Sequence, residues 1–257
     1  MADVHCRGLR FHVQRLGQGA PVVFLHGLVM DNLSSWFFTV ANAAAKDREV
    51  LLYDLRGHGK SERPPTGYST DEMVADLAAL LDTLGIAAPV ALVGNSFGGL
   101  VALAFARRHP ARVERVVLVD AHLGDQGFGA EMAQTLGLEG DQRDAKIAEH
   151  FSRWLGRHSE RKRTRLADSA QALVGGTSLV AELAATPEVT GDDLAAITAP
   201  VLALYGERSD LNARAQRLLA RVPACRIEEL PGCTHSILWE ATDEVRRRTL
   251  AFLAEGA

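Results

Sequence analysis

The sequence predicts an α/β fold built on one mostly parallel sheet. Short apolar runs rich in β-branched residues recur along the 257-residue chain, and segments with the apolar spacing of amphipathic helices lie between them. The runs are mostly continuously apolar, which is typical of strands buried on both faces of a parallel sheet. With 47% hydrophobic residues, a chain of this length favours one large core over two full domains.

The strand segments follow one another in a regular order. A pair of short strands at 5–17 reverses near Gly8. The later segments end in glycine, asparagine or aspartate and lie at 21–27, 48–59, 88–95, 114–120, 199–206 and 225–232. Helical segments connect them, and their alternation with strands implies right-handed crossovers that place helices on both faces of the sheet.

One of the helical segments has clear boundaries. Apolar residues line one face of the segment 70–84, Ser69, Thr70 and Asp71 offer caps at its start, and Gly85 offers a stop at its end. The spacing therefore predicts a helix that begins near these caps and ends before Gly85.

The regular alternation stops between residues 122 and 196. This stretch contains helical pieces and no convincing strand. We expect it to form a helical cap over the carboxyl ends of the strands. The predicted core then comprises 1–121 and 197–257, with 122–196 as the insertion.

Composition excludes several classes of function. The net charge of −4 gives no basic surface for a nucleic acid. Three widely separated cysteines form neither a disulfide framework nor a metal cluster, which favours a reducing compartment. The first residues lack the apolar core of a secretion signal, and no run is long enough to span a membrane. We expect a cytoplasmic protein with a small-molecule substrate and no nucleic-acid or membrane partner; a homodimer is left open.

The segment Gly94-Asn95-Ser96-Phe97-Gly98 matches the pattern G-x-S-x-G between a strand and a helix. A tight strand-to-helix turn of this kind forces the central serine into a strained backbone conformation, and the flanking glycines avoid collisions with neighbouring backbone. The pattern alone is weak, but its place between an apolar strand and an apolar helix is restrictive. We interpret Ser96 as a nucleophile.

A serine nucleophile needs a base, and the base needs an acid that orients it. His235 follows the last predicted strand, at the sheet edge where Ser96 also lies. Asp210, just past the preceding strand, is the predicted acid: Ser96, Asp210 and His235 then come from three independent loops, in the chain order serine, aspartate, histidine that accompanies the G-x-S-x-G motif. Asp120, at the end of an earlier strand, and Glu207 remain alternatives.

Acyl transfer also needs hydrogen-bond donors for the developing oxyanion. The backbone N–H of Phe97 lies at a helix start, where the helix dipole favours negative charge. The loop after the first parallel strand supplies the second donor, for which Leu28 is the candidate because Gly27 lets the backbone turn inwards.

These motifs resemble those of the α/β-hydrolase superfamily. The motifs occur in family order across nearly the whole chain, at 26–28, 53–64, 94–99, 206–210 and 232–236. The resemblance implies an eight-stranded sheet whose second strand is antiparallel, a helical cap after strand six, and no cofactor or metal. A serine nucleophile argues against the relatives that open epoxides or remove halogen through an aspartyl ester.

The resemblance implies hydrolysis of an ester, thioester or lactone through a covalent acyl-enzyme. Trp239 and Glu240, four and five residues after His235, are similar to a pattern in carbon–carbon-bond hydrolases of ring-opened aromatic dienones. Ser236 stands where those enzymes tend to place tryptophan. Hydrolysis of a dienone is therefore an alternative, as are a cofactor-free lyase or oxygenase and a binding protein on the same scaffold.

Aromatic residues near these motifs predict a mainly apolar pocket. The predicted lining residues are His26, Gly27, Trp36, Phe128, Trp154 and Trp239. A basic segment at 157–165 has Arg157, Arg161 and Arg165 on one helix face, which indicates either a solvated surface or an anion site.

Overall fold

An eight-stranded sheet forms the centre of the computed structural model, which describes residues 2–138, 140–142, 156 and 159–255. The strands are β1 Ala2–Cys6, β2 Leu9–Leu16, β3 Ala20–Leu25, β4 Arg48–Tyr53, β5 Val90–Asn95, β6 Val113–Val119, β7 Val201–Gly206 and β8 Cys225–Leu230. Their order in the sheet is β1-β2-β4-β3-β5-β6-β7-β8. β2 runs antiparallel to both neighbours, and all pairs from β4 to β8 are parallel. The predicted eight-stranded, mostly parallel sheet is confirmed.

Helices follow most of the strands. Those described are α1 Ser34–Trp36, a π-helical turn Phe37–Ala41, α2 Asn42–Ala44, α3 Thr70–Thr83, α4 Phe97–Arg108, a 3₁₀ turn Pro110–Arg112, α5 Phe128–Leu136, α6 Glu160–Gly176, α7 Leu179–Ala184, α8 Gly191–Ala195, α9 Asn212–Leu219, α10 Ile237–Glu240 and α11 Thr242–Ala254. Ser69 caps α3 by accepting a hydrogen bond from the N–H of Glu72. Among the described residues, no helix has both the length and the apolar character needed to cross a bilayer.

The core lies on both faces of the sheet. Alternate residues of β3 point to opposite sides because a strand has a two-residue side-chain period. Val23 and Leu25 pack in a cluster that includes residues of α3 and α4. Val22 and Phe24 pack in a second cluster that includes residues of α1, α2 and α11. Burial on both faces explains why the central strands are continuously apolar.

Helices α5 to α8 lie between β6 and β7, where the sequence predicts the cap. Two backbone N–H groups, those of Gly67 and Ser69, each donate to the carboxylate of Glu182 at 2.7 Å. Leu173 of α6 is fully buried. The described part of the cap is therefore fastened to the loop between β4 and α3. Its exact limits, 122 and 196, stay a prediction.

The loop between β4 and α3 is held by buried charges. The carboxylate of Asp54 accepts from the N–H groups of Leu33 and Lys60, both at 2.8 Å. The guanidinium of Arg56 donates twice to the carboxylate of Asp76, at 2.6 Å each, and both side chains are buried. Buried charges need such partners. This loop is thus a firm support for the cap.

Candidate active site

Ser96 occupies a sharp turn between β5 and α4. Its φ of 50° and ψ of −123° lie outside the regions that non-glycine residues normally occupy. A β-carbon on Gly94 would overlap the carbonyl of Gly98, and one on Gly98 would overlap the carbonyl of Leu25. The two glycines therefore allow the backbone to turn tightly, and the turn presents Ser96 at the carboxyl edge of the sheet.

His235 reaches Ser96 from the loop between β8 and α10. Its Nε2 lies 3.2 Å from the hydroxyl oxygen of Ser96. Glu240 holds this loop in place, because its carboxylate accepts from the N–H of Thr234 at 2.6 Å and from the Thr234 hydroxyl at 3.0 Å. Two residues that are 139 positions apart in the chain thus lie within hydrogen-bond distance.

Asp120, not Asp210, is the acid that contacts His235. The Nδ1 of His235 lies 2.9 Å from Oδ1 of Asp120, which directly follows β6 and is fully buried. The prediction of Asp210 as the acid is wrong: Asp210 is exposed, in the turn that leads from β7 into α9. Glu207, the other alternative, is also exposed and accepts from the N–H of Gly232 at 2.7 Å.

The position of each aspartate relative to its strand explains this difference. A residue that directly follows a parallel strand stays at the sheet edge, whereas a residue several positions later can turn away. Asp120 comes one residue after the end of β6, and Asp210 comes four residues after the end of β7. β6 also lies between β5 and β7 in the sheet, next to the strand that leads into Ser96. Distance from the strand end was the available sequence signal.

Three donors hold the carboxylate of Asp120. Oδ2 accepts from the N–H of Gly206 at 2.7 Å, and Oδ1 accepts from the hydroxyl of Ser209 at 2.5 Å as well as from His235. Sequence reasoning missed Ser209. These hydrogen bonds compensate for the loss of water around a buried charge. They also fix the direction in which the carboxylate faces the imidazole.

The loop after β3 approaches Ser96 closely. A β-carbon placed on Gly27 would lie 3.3 Å from Cβ of Ser96, tighter than nearly all real contacts. The N–H of Gly27 donates to Oδ2 of Asp31 at 3.0 Å, and Asp31 also accepts from the Ser35 hydroxyl. The N–H of Gly27 is thus engaged by Asp31, and the predicted oxyanion donor of this loop is the next residue, Leu28.

The predicted partner donor is the N–H of Phe97, the first residue of α4. The first four N–H groups of a helix have no acceptor within the helix, and the dipole adds positive potential there. Phe97 directly follows Ser96 at the start of α4, and Leu28 lines the same cleft as Ser96 from the loop after β3. Their role as an oxyanion hole remains a prediction.

A cleft opens beside Ser96 and His235. Its empty volume is about 470 Å³, open solvent at its mouth included. Its lining consists of Gly27, Leu28, Asp31, Asn95, Ser96, Val119, His235, Ser236, Leu238 and Trp239. At one side Trp239 packs on a small cluster that includes Met30 and the cap residue Ala170. The cap therefore contributes to the surroundings of the cleft.

Some of the residues predicted to line the pocket do line the cleft, and others do not. Gly27 and Trp239 line the cleft. The prediction is wrong for His26 and Trp36, which are fully buried: His26 Nε2 accepts from the N–H of Leu55 at 3.0 Å, and the Trp36 indole donates to the carbonyl of Leu25 at 2.9 Å. Both side chains support the core.

The cap residues predicted for the pocket also require correction. Phe128 is buried and does not line the cleft; its ring centroid lies 5.2 Å from that of His122. Trp154 lies outside the described residues, as does Arg157. Arg161 and Arg165 are exposed on α6, which favours a solvated face.

Burial shifts the pKa of two titratable groups close to the site. Burial, and then the adjacent ring of His26, lower the pKa of His58 to about 3, so this ring is neutral at pH 7. Burial followed by the charge of Asp120 raises the pKa of Tyr205 well above its usual value. The neutral Tyr205 hydroxyl donates to the carbonyl of Ala121 at 2.8 Å, which braces the backbone next to Asp120.

Within the described residues, no group of three or more His, Cys, Asp or Glu side chains is arranged to hold a metal ion. The hydroxyl of Ser96, the imidazole of His235 and the carboxylate of Asp120 form a hydrogen-bonded series. This arrangement can generate a nucleophilic alkoxide-like oxygen by proton transfer to the imidazole.

Comparisons with known proteins agree with this architecture. A family model described as "alpha/beta hydrolase fold" matches residues 20–242. A 2-hydroxymuconate semialdehyde hydrolase of Pseudomonas putida is 28% identical, over 98% of this chain and 94% of that protein. A cis-3-alkyl-4-alkyloxetan-2-one decarboxylase of Shewanella oneidensis is 27% identical, over 96% and 86%.

A solved structure shows the same architecture. The crystal structure of the enol-lactonase from Burkholderia xenovorans has a TM-score of 0.79 and 26% identity, and covers 99% of this chain and 100% of that chain. Relatives at similar identity thus carry the names of different reactions. The similarity shows the shared architecture and does not identify the substrate.

The contact between His235 and Asp120 generates a test of the acid's identity. Asp120→Asn should slow the reaction of Ser96 with a fluorophosphonate by about 10³–10⁴-fold, because the amide cannot orient the imidazole and stabilise its protonated form in the same way. The matched variant Asp210→Asn should change the rate less than about threefold, since that side chain is exposed. Time courses of labelling followed by mass spectrometry measure both. A large loss in Asp210→Asn with a normal rate in Asp120→Asn would reverse the assignment.

Proposed function

We propose that this chain, which belongs to the α/β-hydrolase family, is a serine hydrolase that acts through Ser96, His235 and Asp120. The observation that carries the proposal is the continuous hydrogen-bonded chain from the Ser96 hydroxyl through both nitrogens of His235 to the Asp120 carboxylate, at 3.2 Å and 2.9 Å. Family membership supports a hydrolase. The proposal adds which residues act and on which class of bond.

The first half of the proposed reaction forms an acyl-enzyme. Nε2 of His235 takes the proton of Ser96 as its oxygen attacks the carbonyl carbon of the substrate. The N–H groups of Leu28 and Phe97 stabilise the negative oxygen of the tetrahedral intermediate. The carboxylate of Asp120 stabilises the imidazolium that forms. The intermediate collapses when His235 returns its proton to the leaving alcohol or thiol.

The second half releases the acid. Water enters the space left by the leaving group, and His235 removes a proton from it as its oxygen attacks the acyl carbon. The second tetrahedral intermediate uses the same two N–H groups. Its collapse returns the proton to Ser96 and frees the carboxylic acid. Ser96, His235 and Asp120 already lie within hydrogen-bond distance of one another in series, so these proton transfers require no large movement of the three side chains.

The lining of the cleft favours a mainly apolar acyl group. Leu28, Val119, Leu238 and Trp239 contribute apolar surface near Ser96. The charged group of the wall, Asp31, is already occupied by the N–H groups of Gly27 and Asn32 and by the Ser35 hydroxyl. An ester, thioester or lactone with an apolar acyl part fits this surface.

A direct experiment tests the proposed nucleophile. A fluorophosphonate should modify Ser96, and Ser96→Ala should abolish both the modification and the turnover of p-nitrophenyl esters. The exposed Ser159 provides a control, since Ser159→Ala should retain both. Acyl-CoAs, lactones and a ring-opened dienone belong in the same substrate panel. Undiminished ester turnover by Ser96→Ala would contradict the proposal, and exclusive turnover of the dienone would favour carbon–carbon cleavage instead.

The contact of Trp239 with the cap generates a prediction about acyl length. Trp239→Ala should open the cleft towards Met30 and Ala170 and raise the ratio of kcat/KM for p-nitrophenyl octanoate over butyrate by about tenfold. This is the effect of burying about two of the four additional methylenes, at about 0.8 kcal/mol each. Trp239→Phe keeps most of the bulk and should change the ratio little. An unchanged ratio in Trp239→Ala would show that another surface limits acyl length.

A further inference from the structure

The side chain of Ser209 occupies an unusual place next to the proposed acid. It lies three residues after the end of β7, in the turn before α9, and it is buried although the next residue, Asp210, is exposed. Its hydroxyl lies 2.5 Å from Oδ1 of Asp120, the same oxygen that faces His235. The Asp120 carboxylate thus connects Ser209 to the imidazole of His235.

The hydrogen bonds around Ser209 fix the direction of its hydroxyl proton. The N–H of Leu211 lies 3.2 Å from the hydroxyl oxygen and donates to it. A carboxylate has no proton to donate. The Ser209 proton therefore goes to Asp120. The backbone of Ser209 is also engaged, since its N–H donates to the carbonyl of Gly206 at 3.0 Å and its carbonyl accepts from Asn212 at 3.2 Å.

We propose that Ser209 is a positioning residue that holds the Asp120 carboxylate towards His235 and limits the basicity of the imidazole. The inference rests on the proposed function, in which Asp120 supports His235 as the base. A donor on Oδ1 withdraws part of the negative charge that stabilises the imidazolium. The same donor restricts rotation of the carboxylate, so that its other oxygen stays on the N–H of Gly206.

Other titratable groups lie near Asp120 and His235. The ring of His122 lies 5.7 Å from that of His235, the Tyr205 hydroxyl binds the carbonyl next to Asp120, and Glu240 braces the loop that carries His235. Asp31 lies on the wall of the same cleft. A change confined to Ser209 leaves all of these groups in place, so a difference between variants isolates the effect of the hydroxyl.

The test is an NMR titration of the His235 imidazole in the full-length protein, which needs no substrate. Ser209→Ala should move the midpoint upwards by about half to one pH unit, because a carboxylate with fewer donors attracts the imidazolium more strongly. Ser209→Cys fills the same space with a weak donor and should shift the midpoint in the same direction. Ser209→Thr keeps the hydroxyl and should restore the wild-type midpoint.

Reactivity provides the second readout. Ser209→Ala and Ser209→Cys should lower the rate of Ser96 phosphonylation about three- to tenfold at a pH where His235 is neutral, and Ser209→Thr should retain the wild-type rate. A midpoint that stays unchanged in both Ser209→Ala and Ser209→Cys, in folded protein, overturns the inference. A wild-type protein whose Ser96 is not modified overturns the proposed function instead, and the titration still decides the role of Ser209.

Discussion

The arrangement of the site depends on the hydrogen bonds that converge on the carboxylate of Asp120. Three loops that are remote in the chain meet at this one buried group: the end of β6 carries it, the turn after β7 donates to it through Gly206 and Ser209, and the loop after β8 brings His235 to it. Because a buried charge is costly without partners, folding favours the state in which all three loops converge. Convergence of these loops places the imidazole beside Ser96.

The backbone at the sheet edge is arranged to support this convergence. Both Ser96 and Asp120 have positive φ, at 50° and 45°, which costs of order 1–3 kcal/mol for each non-glycine residue and persists only where the surroundings compensate. Here the compensation is visible: the N–H of Ser96 donates to Val119, the N–H of His122 donates to Ser96, and the N–H of Asp120 donates to Leu204. Hydrogen bonds to neighbouring strands thus hold the two strained residues at the carboxyl edge of the sheet.

Much of the fold could be predicted because its signals are local. Apolar runs, helix caps and the glycine-flanked Ser96 each reflect a constraint within a few residues. The acid and the pocket depend on non-local geometry. Whether Asp120 or Asp210 faces His235 is decided by a turn of the backbone after β7, and whether His26 and Trp36 line a cleft or the core is decided by their rotation against β4 and β3. Sequence patterns identified the right residue types, and packing selected among them.

The proton between His235 and Asp120 provides the most direct measurement of the central claim. Protein labelled with ¹⁵N-histidine should show a far-downfield proton resonance coupled to Nδ1 of His235 when the imidazole is protonated, as expected for a charge-assisted hydrogen bond to a buried carboxylate. The resonance should be lost in Asp120→Asn and retained in Asp210→Asn. Its retention in Asp120→Asn, or its loss in Asp210→Asn alone, would contradict the account.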